Sequence, residues 1–294
     1  MVLSVVFYAI LKIMKIAIQG IKGSFHSQAA RELFTGYEYT LVECQNFHDV
    51  FESVQKDEAG YGVVAVENSL HGTINPVYRL LAEQKLQVCG EVRLSISLYL
   101  IGHDNGGLDM INIPLTKVYS QREALNQCED WLRTNLSNAQ IVEASDTAEA
   151  VKDAVEAKSY EHVAIGSRES ARLYNGEVIA GPVNDEAENY TRFFVITKKP
   201  QEVPDANRTS IILTENSDKA GILYEALGLF AKHNINLSKL HSQPRPGKRR
   251  LYSFYIDFDQ SLAHATEVGL IDELRNIGWK VTILGSYKAG DTID

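Results

Sequence analysis

Four short runs hold the side chains of this chain that could act on a small anion. In Gly23-Ser24-Phe25, a serine opens a helical segment. Free backbone N–H groups and a hydroxyl there can receive a carboxylate, although plain N-capping also accounts for Ser24. Glu67-Asn68-Ser69 closes the apolar strand YGVVAV and is followed by Gly72 and Thr73, so it is either a polar binding edge or a hydrogen-bonded turn. Ser120-Gln121-Arg122-Glu123 fits an S-x-x-E capping box, which explains Ser120 and Glu123. Gln127, one turn further on the same side, is left unexplained by capping. In Thr191-Arg192-Phe193, the arginine fork matches the two oxygens of a carboxylate, while threonine and phenylalanine are also ordinary strand residues. Residue types and spacing lead to a cleft that binds a small anion and no further.

The elements that must position these runs alternate. IAIQG, YTLVEC, YGVVAV, KVYS, QIVEAS and HVAIG are short apolar strands, each followed by a polar turn and a helical segment. Asn46 is placed to cap the second helix, and Asn75 the third, ahead of Pro76. Such alternation predicts βαβ units and a largely parallel sheet, with ligands at the carboxyl ends of its strands. No Walker A or G-x-G-x-x-G run occurs, so no nucleotide site is expected. Two long strands, 88–102 and 189–198, read as crossings between two lobes that enclose a central cleft. Residues 199–208 read as a linker. From 209 to 294 the order is β-α-β-β-α-β, a ferredoxin-like unit.

Composition narrows the function. The 294 residues suggest two domains and need no metal or disulfide staple. The net charge of −9 argues against general affinity for nucleic acid or anionic membrane. Three cysteines without a Cys-x-x-Cys pair suit a reducing cytoplasm and give no zinc signature. The scattered histidines give no metal site either. Residues 1–13 are apolar but too short to span a bilayer, and they lack the flanks of a secretory signal. They read as an extension before a start at Met14, in a cytoplasmic protein.

GSFHSQAA (23–30), VVAVENSLHGTINPVYRLL (63–81), the YS…QC pair of 119–128 and TRFFVI (191–196) together resemble prephenate dehydratase. GILYEALGLFAKHNINLSKLHSQP (221–244) looks like that family's regulatory ACT domain. The resemblance covers nearly all of 14–294, in order. It implies an α/β fold: a two-lobed catalytic domain like a periplasmic binding protein over 14–198, and a βαββαβ ACT domain over 209–294. The implied reaction converts prephenate to phenylpyruvate, water and carbon dioxide, on the way to phenylalanine. It needs no cofactor, because forming the aromatic ring makes it strongly downhill.

By this resemblance Thr191 meets the leaving hydroxyl, Arg192 orients a carboxylate or supports the rim, and Phe193 walls the ring. Ser24, Asn68, Ser69, Ser120 and Gln127 match cleft-lining positions, and Glu67 matches either an acid or a structural partner. Gly221, Ile222, Leu223, Asn236, Leu237, His241 and Ser242 match the phenylalanine site between paired ACT domains, which implies a homodimer or homotetramer. Two departures stand out. The family's His-Pro-Gln run is Gln121-Arg122-Glu123 here, which is expected to cap a helix. Its Gly-Ala-Leu-Val and Glu-Ser-Arg-Pro runs read Gly221-Ile222-Leu223-Tyr224 and His241-Ser242-Gln243-Pro244, which makes altered effector potency or identity an open expectation. No helical segment long enough for a fused chorismate mutase precedes residue 14, so prephenate is expected from a separate enzyme. The rival readings are arogenate dehydratase, a non-catalytic small-acid-binding protein and an amino-acid sensor.

Overall fold

Residues 13–103, 114–199, 202–215, 219–245, 247 and 251–293 are described by the structure, a computed structural model. The chain begins β1 (Met14–Gln19), α1 (Phe25–Leu33), β2 (Tyr39–Cys44), α2 (Phe47–Gln55), β3 (Tyr61–Asn68), β4 (Gly72–Thr73), α3 (Asn75–Gln84) and β5 (Gln87–Ser95). It continues through β6 (Tyr99–His103), β7 (Lys117–Ser120), α4 (Arg122–Asn126), α5 (Glu129–Asn135), β8 (Gln140–Glu143), α6 (Thr147–Glu156), β9 (His162–Gly166), α7 (Arg168–Tyr174) and β10 (Gly176–Ala180). After β11 (Tyr190–Thr197) come β12 (Arg208–Thr214), α8 (Ile222–Lys232), β13 (Leu237–Pro244) and β14 (Tyr252–Phe258). Last are α9 (Leu262–Glu267), α10 (Leu270–Asn276), β15 (Lys280–Tyr287) and β16 (Thr292–Ile293).

The first sheet has the order β16-β5-β11-β3-β1-β2, with β4 on β3. Ile16, Ala17 and Ile18 of β1 are fully buried because both faces are covered. Ile16 and Ile18 pack in one cluster with Ala29 and Ala30 of α1. Ala17 faces the other, with Val50 and Phe51 of α2. The second sheet is β10-β6-β9-β7-β8. Both sheets are mixed rather than largely parallel. β11 enters antiparallel between β3 and β5, and β6 runs antiparallel to β9. The stretch read as one strand over 88–102 divides into β5, in the first sheet, and β6, in the second.

Two predicted helices are broken. Residues 121–132 form α4 and α5, separated at Gln127 and Cys128, and the helix predicted over 264–277 divides at Gly269, the N-cap of α10. The capping box at Ser120 does not form: Gln121 is the N-cap, and the Ser120 hydroxyl donates to the Ile165 carbonyl instead (2.7 Å). Asn75 is the first residue of α3 rather than its cap, which is Ile74.

The third sheet, β13-β14-β12-β15, is antiparallel throughout, and its core includes Phe230 of α8 and Leu274 of α10. Its other face is docked on the first sheet. Ile212, Tyr255, Leu284 and Tyr287 join the cluster that holds Val64, Val66 and Phe194. Gly285 passes so close to β5 that an added Cβ would lie 1.9 Å from the Val88 carbonyl oxygen, so only glycine fits. β16 then pairs in parallel with β5. Among the described residues no helix is long and apolar enough to cross a membrane.

Candidate active site

Elements of the first two sheets enclose a cavity of about 220 Å³. Its walls include Thr191 and Phe193 of β11, Ala65 and Asn68 of β3, His26 of α1, and Gln127 beyond α4. Strand periodicity decides which side chains reach it. Successive residues of a strand point to opposite faces, so Thr191 and Phe193 share the cavity side and Arg192 and Phe194 share the other. On β3 the same rule would pair Ala65 with Glu67. The pairing with β11 slips there: Arg192 faces Glu67 but Phe193 faces Ala65, so Val66 is the extra residue of a bulge. The bulge turns Asn68 into the cavity and Glu67 away from it.

Asn68 organises the polar wall. Its Oδ1 accepts the backbone N–H groups of Leu70 (3.0 Å) and His71 (3.1 Å), which sets the amide's orientation. Its Nδ2 therefore faces three acceptors: Asn189 Oδ1 at 2.8 Å, the Tyr190 carbonyl at 3.2 Å and Thr191 Oγ1 at 3.0 Å. Because Thr191 Oγ1 receives that N–H, its own proton is available to a partner in the cavity. The polarity continues outward: Asn189 Nδ2 donates to Gln127 Oε1 (2.8 Å), and Gln127 Nε2 faces His71 Nδ1 (3.3 Å). His71 Nδ1 also lies 3.3 Å from Asn68 Oδ1, so the ring closes the network back onto Asn68.

Two titratable groups border the cavity with shifted affinities for protons. Burial pushes His26 down to about 4, so the imidazole is neutral. Its Nε2 accepts the Ala65 N–H at 3.3 Å, and the ring meets Phe193 edge-on at 5.2 Å. Burial pushes the Asp146 carboxyl up to about 6, opposed by the Glu149 and Ala148 N–H groups that it accepts as N-cap of α6. It lies against Gly20, where an added Cβ would come within 2.3 Å of Asp146 Oδ2. No lysine or arginine lines the cavity among the described residues. Attraction for an anion falls to amide and hydroxyl donors and to the start of α1, whose first N–H groups have no partner within the helix.

Several expected residues lie elsewhere. Ser24 is buried as the N-cap of α1, with Ser27 N–H on its hydroxyl (3.2 Å), and sets the start of α1 without lining the cavity. Ser69 is exposed and takes the Tyr190 N–H (3.0 Å). Ser120 is fully buried away from the cavity. Arg192 as a carboxylate clamp is a correction, and Glu67 takes the structural one of its two expected roles, since strand alternation and the bulge put both on the far face. Arg192 bonds Glu91 Oε2 through Nε (2.7 Å), Asp257 Oδ2 through Nη1 (2.6 Å) and Tyr287 Oη through Nη2 (3.1 Å). Burial disfavours its charge, but Asp257, Tyr287 and Glu91 raise its proton affinity well above the usual range. Glu67 meets Lys239 Nζ at 2.9 Å.

In the C-terminal unit, Gly221, Ile222 and Leu223 border a shallow recess with Glu215, Lys219, Tyr224, Tyr252 and Phe254. Asn236, Leu237, His241 and Ser242 do not border it. Asn236 bonds Asp259 (3.0 Å), and His241 bonds Asn75 (2.9 Å).

The profile of the family described as "PDT: Prephenate dehydratase" matches residues 16–201, which span every element of the cavity. The chain belongs to the prephenate dehydratase family. It is 35% identical to the "Prephenate dehydratase" of Methanocaldococcus jannaschii, over 92% of this chain and 96% of that protein. It is 34% identical to the "Bifunctional chorismate mutase/prephenate dehydratase" of Aquifex aeolicus, over 94% of this chain and 74% of that one. The crystal structure of prephenate dehydratase in complex with L-Phe from Arthrobacter aurescens superposes with a TM-score of 0.82 at 25% identity, covering 95% of this chain and 91% of that one.

In this member of the prephenate dehydratase family, the sequence reading missed His26, His71, Asn189 and Asp146. His26 and His71 stand beside runs already singled out, and the polar types next to Ser24 and Ser69 were a usable signal. Asn189 had none, because its role depends on where β11 meets Gln127.

Proposed function

We propose that the chain is a prephenate dehydratase, releasing water and carbon dioxide from prephenate to give phenylpyruvate. The electron pair of the ring-to-carboxylate bond moves through the ring as carbon dioxide leaves and expels the hydroxyl group opposite. That oxygen departs as water when it takes one proton. Supplying or orienting that proton is the work left to the protein, worth roughly 10²–10⁴-fold in rate. The observation that carries the reading is Thr191 in the cavity wall with Asn68 Nδ2 on its Oγ1. The hydroxyl then has a donor to offer the leaving oxygen. Phe193 and neutral His26 flank the ring, and Gln127 and the α1 start hold the carboxylates.

The two sheets with the cavity between them support a two-lobed arrangement of the periplasmic-binding-protein kind over 14–198. The βαββαβ order of the third sheet supports an ACT domain over 209–294, with phenylalanine as its effector and pairing of at least two copies. A monomeric mass in light scattering at working concentration removes the basis for an effector site between subunits. A reducing, cytoplasmic setting suits the three free cysteines.

The test is phenylpyruvate formation from prephenate by the purified protein, with Thr191→Ala and with arogenate alongside. Turnover of prephenate that collapses in the variant is expected. Turnover of arogenate alone replaces the substrate, and inertness toward both means a cleft that binds without reacting.

A further inference from the structure

We infer that strand β13 supplies positioning residues for the catalytic turn, with Lys239 holding the bulge that turns Asn68 into the cavity. The inference rests on the dehydratase reading for its consequence in activity, but not for its geometry.

The turn 67–75 is anchored on its cavity side by Asn68, by Ser69 on Tyr190 and by Ile74 in the core. Residues 69–72 are exposed, and within the first sheet β4 adds only the pairs Glu67 with Thr73 and Asn68 with Gly72. Its outer side is held from the third sheet. Lys239 Nζ donates to Glu67 Oε2 and to Thr73 Oγ1, both at 2.9 Å, so one ammonium ties the two ends of the turn together. Two residues on, His241 Nε2 meets Asn75 Oδ1 at 2.9 Å, and two further, Gln243 Nε2 donates to the same oxygen at 2.7 Å. Alternation along β13 puts Lys239, His241 and Gln243 on one face. His241 and Gln243 are also the positions at which this chain departs from the Glu and Arg of the family run.

Why Lys239 matters follows from the bulge. Glu67 and Asn68 are consecutive, and a one-residue slip exchanges which of them faces the cavity. With Val66 as the extra residue, Asn68 reaches Thr191 and Glu67 faces Lys239, with Arg192 Nη1 3.7 Å away. Lys239 is 9% exposed and its Nζ lies 5.2 Å from the Tyr78 ring centroid. An ammonium there makes the far face the favourable place for a carboxylate. Without it the slipped register places Glu67 beside Thr191, in a cavity meant for a dianion, and withdraws the amide that orients the hydroxyl.

The experiment combines kinetics with amide hydrogen exchange on the full chain without substrate. Lys239→Met is expected to lower kcat by about tenfold or more, in line with the cost of misplacing a catalytic group. It is also expected to speed exchange of amides 68–73 while leaving β1 and β2 protected. Lys239→Met combined with Glu67→Gln is expected to recover to within about threefold of Glu67→Gln alone, because the carboxylate that would enter the cavity is gone. Unchanged exchange at 68–73, or a kcat within twofold of the parent, overturns the inference, as does a double variant worse than either single one. If Lys239→Met does not fold, the more accessible pair His241→Ala with Gln243→Ala must speed exchange at 68–73, and its failure to do so overturns the inference. A parent protein inert toward prephenate sinks the dehydratase reading, while the exchange arms still decide the positioning role.

Discussion

Thr191 and Arg192 are neighbours in one strand and serve opposite sides of it. Thr191 faces the cavity with its oxygen on Asn68 Nδ2 (3.0 Å), and Arg192 is buried against Glu91, Asp257 and Tyr287. Asp257 and Tyr287 belong to the third sheet. The strand that carries the proposed catalytic hydroxyl is therefore also the one on which the C-terminal unit is seated. Chemistry and docking share a backbone two residues long, so a disturbance at one face has a short way to travel to the other.

The cavity side gives the first prediction. Thr191→Ser keeps the hydroxyl and is expected to stay within about tenfold of the parent in kcat, whereas Thr191→Val should lose roughly 10²–10⁴-fold. Asn68→Leu keeps Thr191 but removes the donor on its oxygen and strands the buried Asn189 Oδ1. It is expected to lose activity of the same order and, unlike Thr191→Val, to lower stability by about 1–3 kcal/mol. Steady-state kinetics with thermal unfolding separates the two variants; an Asn68→Leu protein with full kcat contradicts the orienting role.

The far face gives the second. The Asp257 side chain is 2% exposed and has Arg192 as its cation, so Arg192→Gln leaves that carboxylate uncompensated, while Glu91, 0% exposed, keeps Arg208 Nη1 at 2.7 Å. Breaking a buried pair this way costs about 3–5 kcal/mol, or a fall in Tm of roughly 10 °C for a chain of this size. Arg192→Lys is expected to recover little, because one ammonium cannot serve Glu91, Asp257 and Tyr287 as the fork does. Calorimetry is the check. A variant with the parent's Tm and a KM raised alone would return Arg192 to the role of carboxylate clamp.

These two residues also show what was legible in sequence. Thr191-Arg192-Phe193 is recognisable as a run, and strand alternation alone says that its middle member points away from its neighbours. What the run does not say is which face holds the substrate. That depends on the docking of β12, β14 and β15, about which a local window has no information. Glu67-Asn68-Ser69 was legible as a polar strand end, but the choice of Asn68 over Glu67 rests on a bulge. A bulge comes from pairing with a strand more than 100 residues away. The βαββαβ order was readable because hydrophobic periodicity is local. The division at Gln127 was not, since Asn189 and the Asp185 carboxylate, which accepts the Asp130 and Trp131 N–H groups, come from a distant loop.

Phenylalanine binding by the proposed ACT domain is the third prediction. The recess at the start of α8 carries Gly221, Ile222 and Leu223, with Tyr224 81% exposed. Phenylalanine is expected to lower turnover of prephenate in a dose-dependent way at or below millimolar concentration. The response should weaken in Leu223→Glu, which places a carboxylate in the recess and leaves the cavity residues untouched. Coupling of this kind requires two states that differ in affinity for the effector. A flat titration of the parent protein through the millimolar range ends the feedback reading and leaves the catalytic one standing.

The last prediction concerns acid. His26 is held near pKa 4 by burial, against an ordinary value of 6.5. Below pH 6.5 the unfolded chain takes up a proton that the native imidazole refuses, so stability falls as pH drops from 6.5 to 4. The shift sets a ceiling of about 3 kcal/mol on the loss, since each pH unit of difference is worth 1.36 kcal/mol, and the ring's contact with the cavity reduces it. Asp146 acts in the opposite sense. Its pKa is raised from 3.8 to about 6, so between those values the native state keeps a proton that the unfolded chain has released. That contribution is present below 3.8 and lost as pH rises through 6. In His26→Gln the histidine contribution vanishes and that of Asp146 remains, so the variant is expected to gain stability relative to the parent, by up to about 3 kcal/mol, as pH drops from 6.5 to 4. Urea titrations at pH 7, 5.5 and 4.5 read the difference directly. Parallel curves for parent and variant would mean that His26 takes up its proton in the folded protein as readily as in the unfolded chain, and a neutral wall beside Phe193 would have to be abandoned.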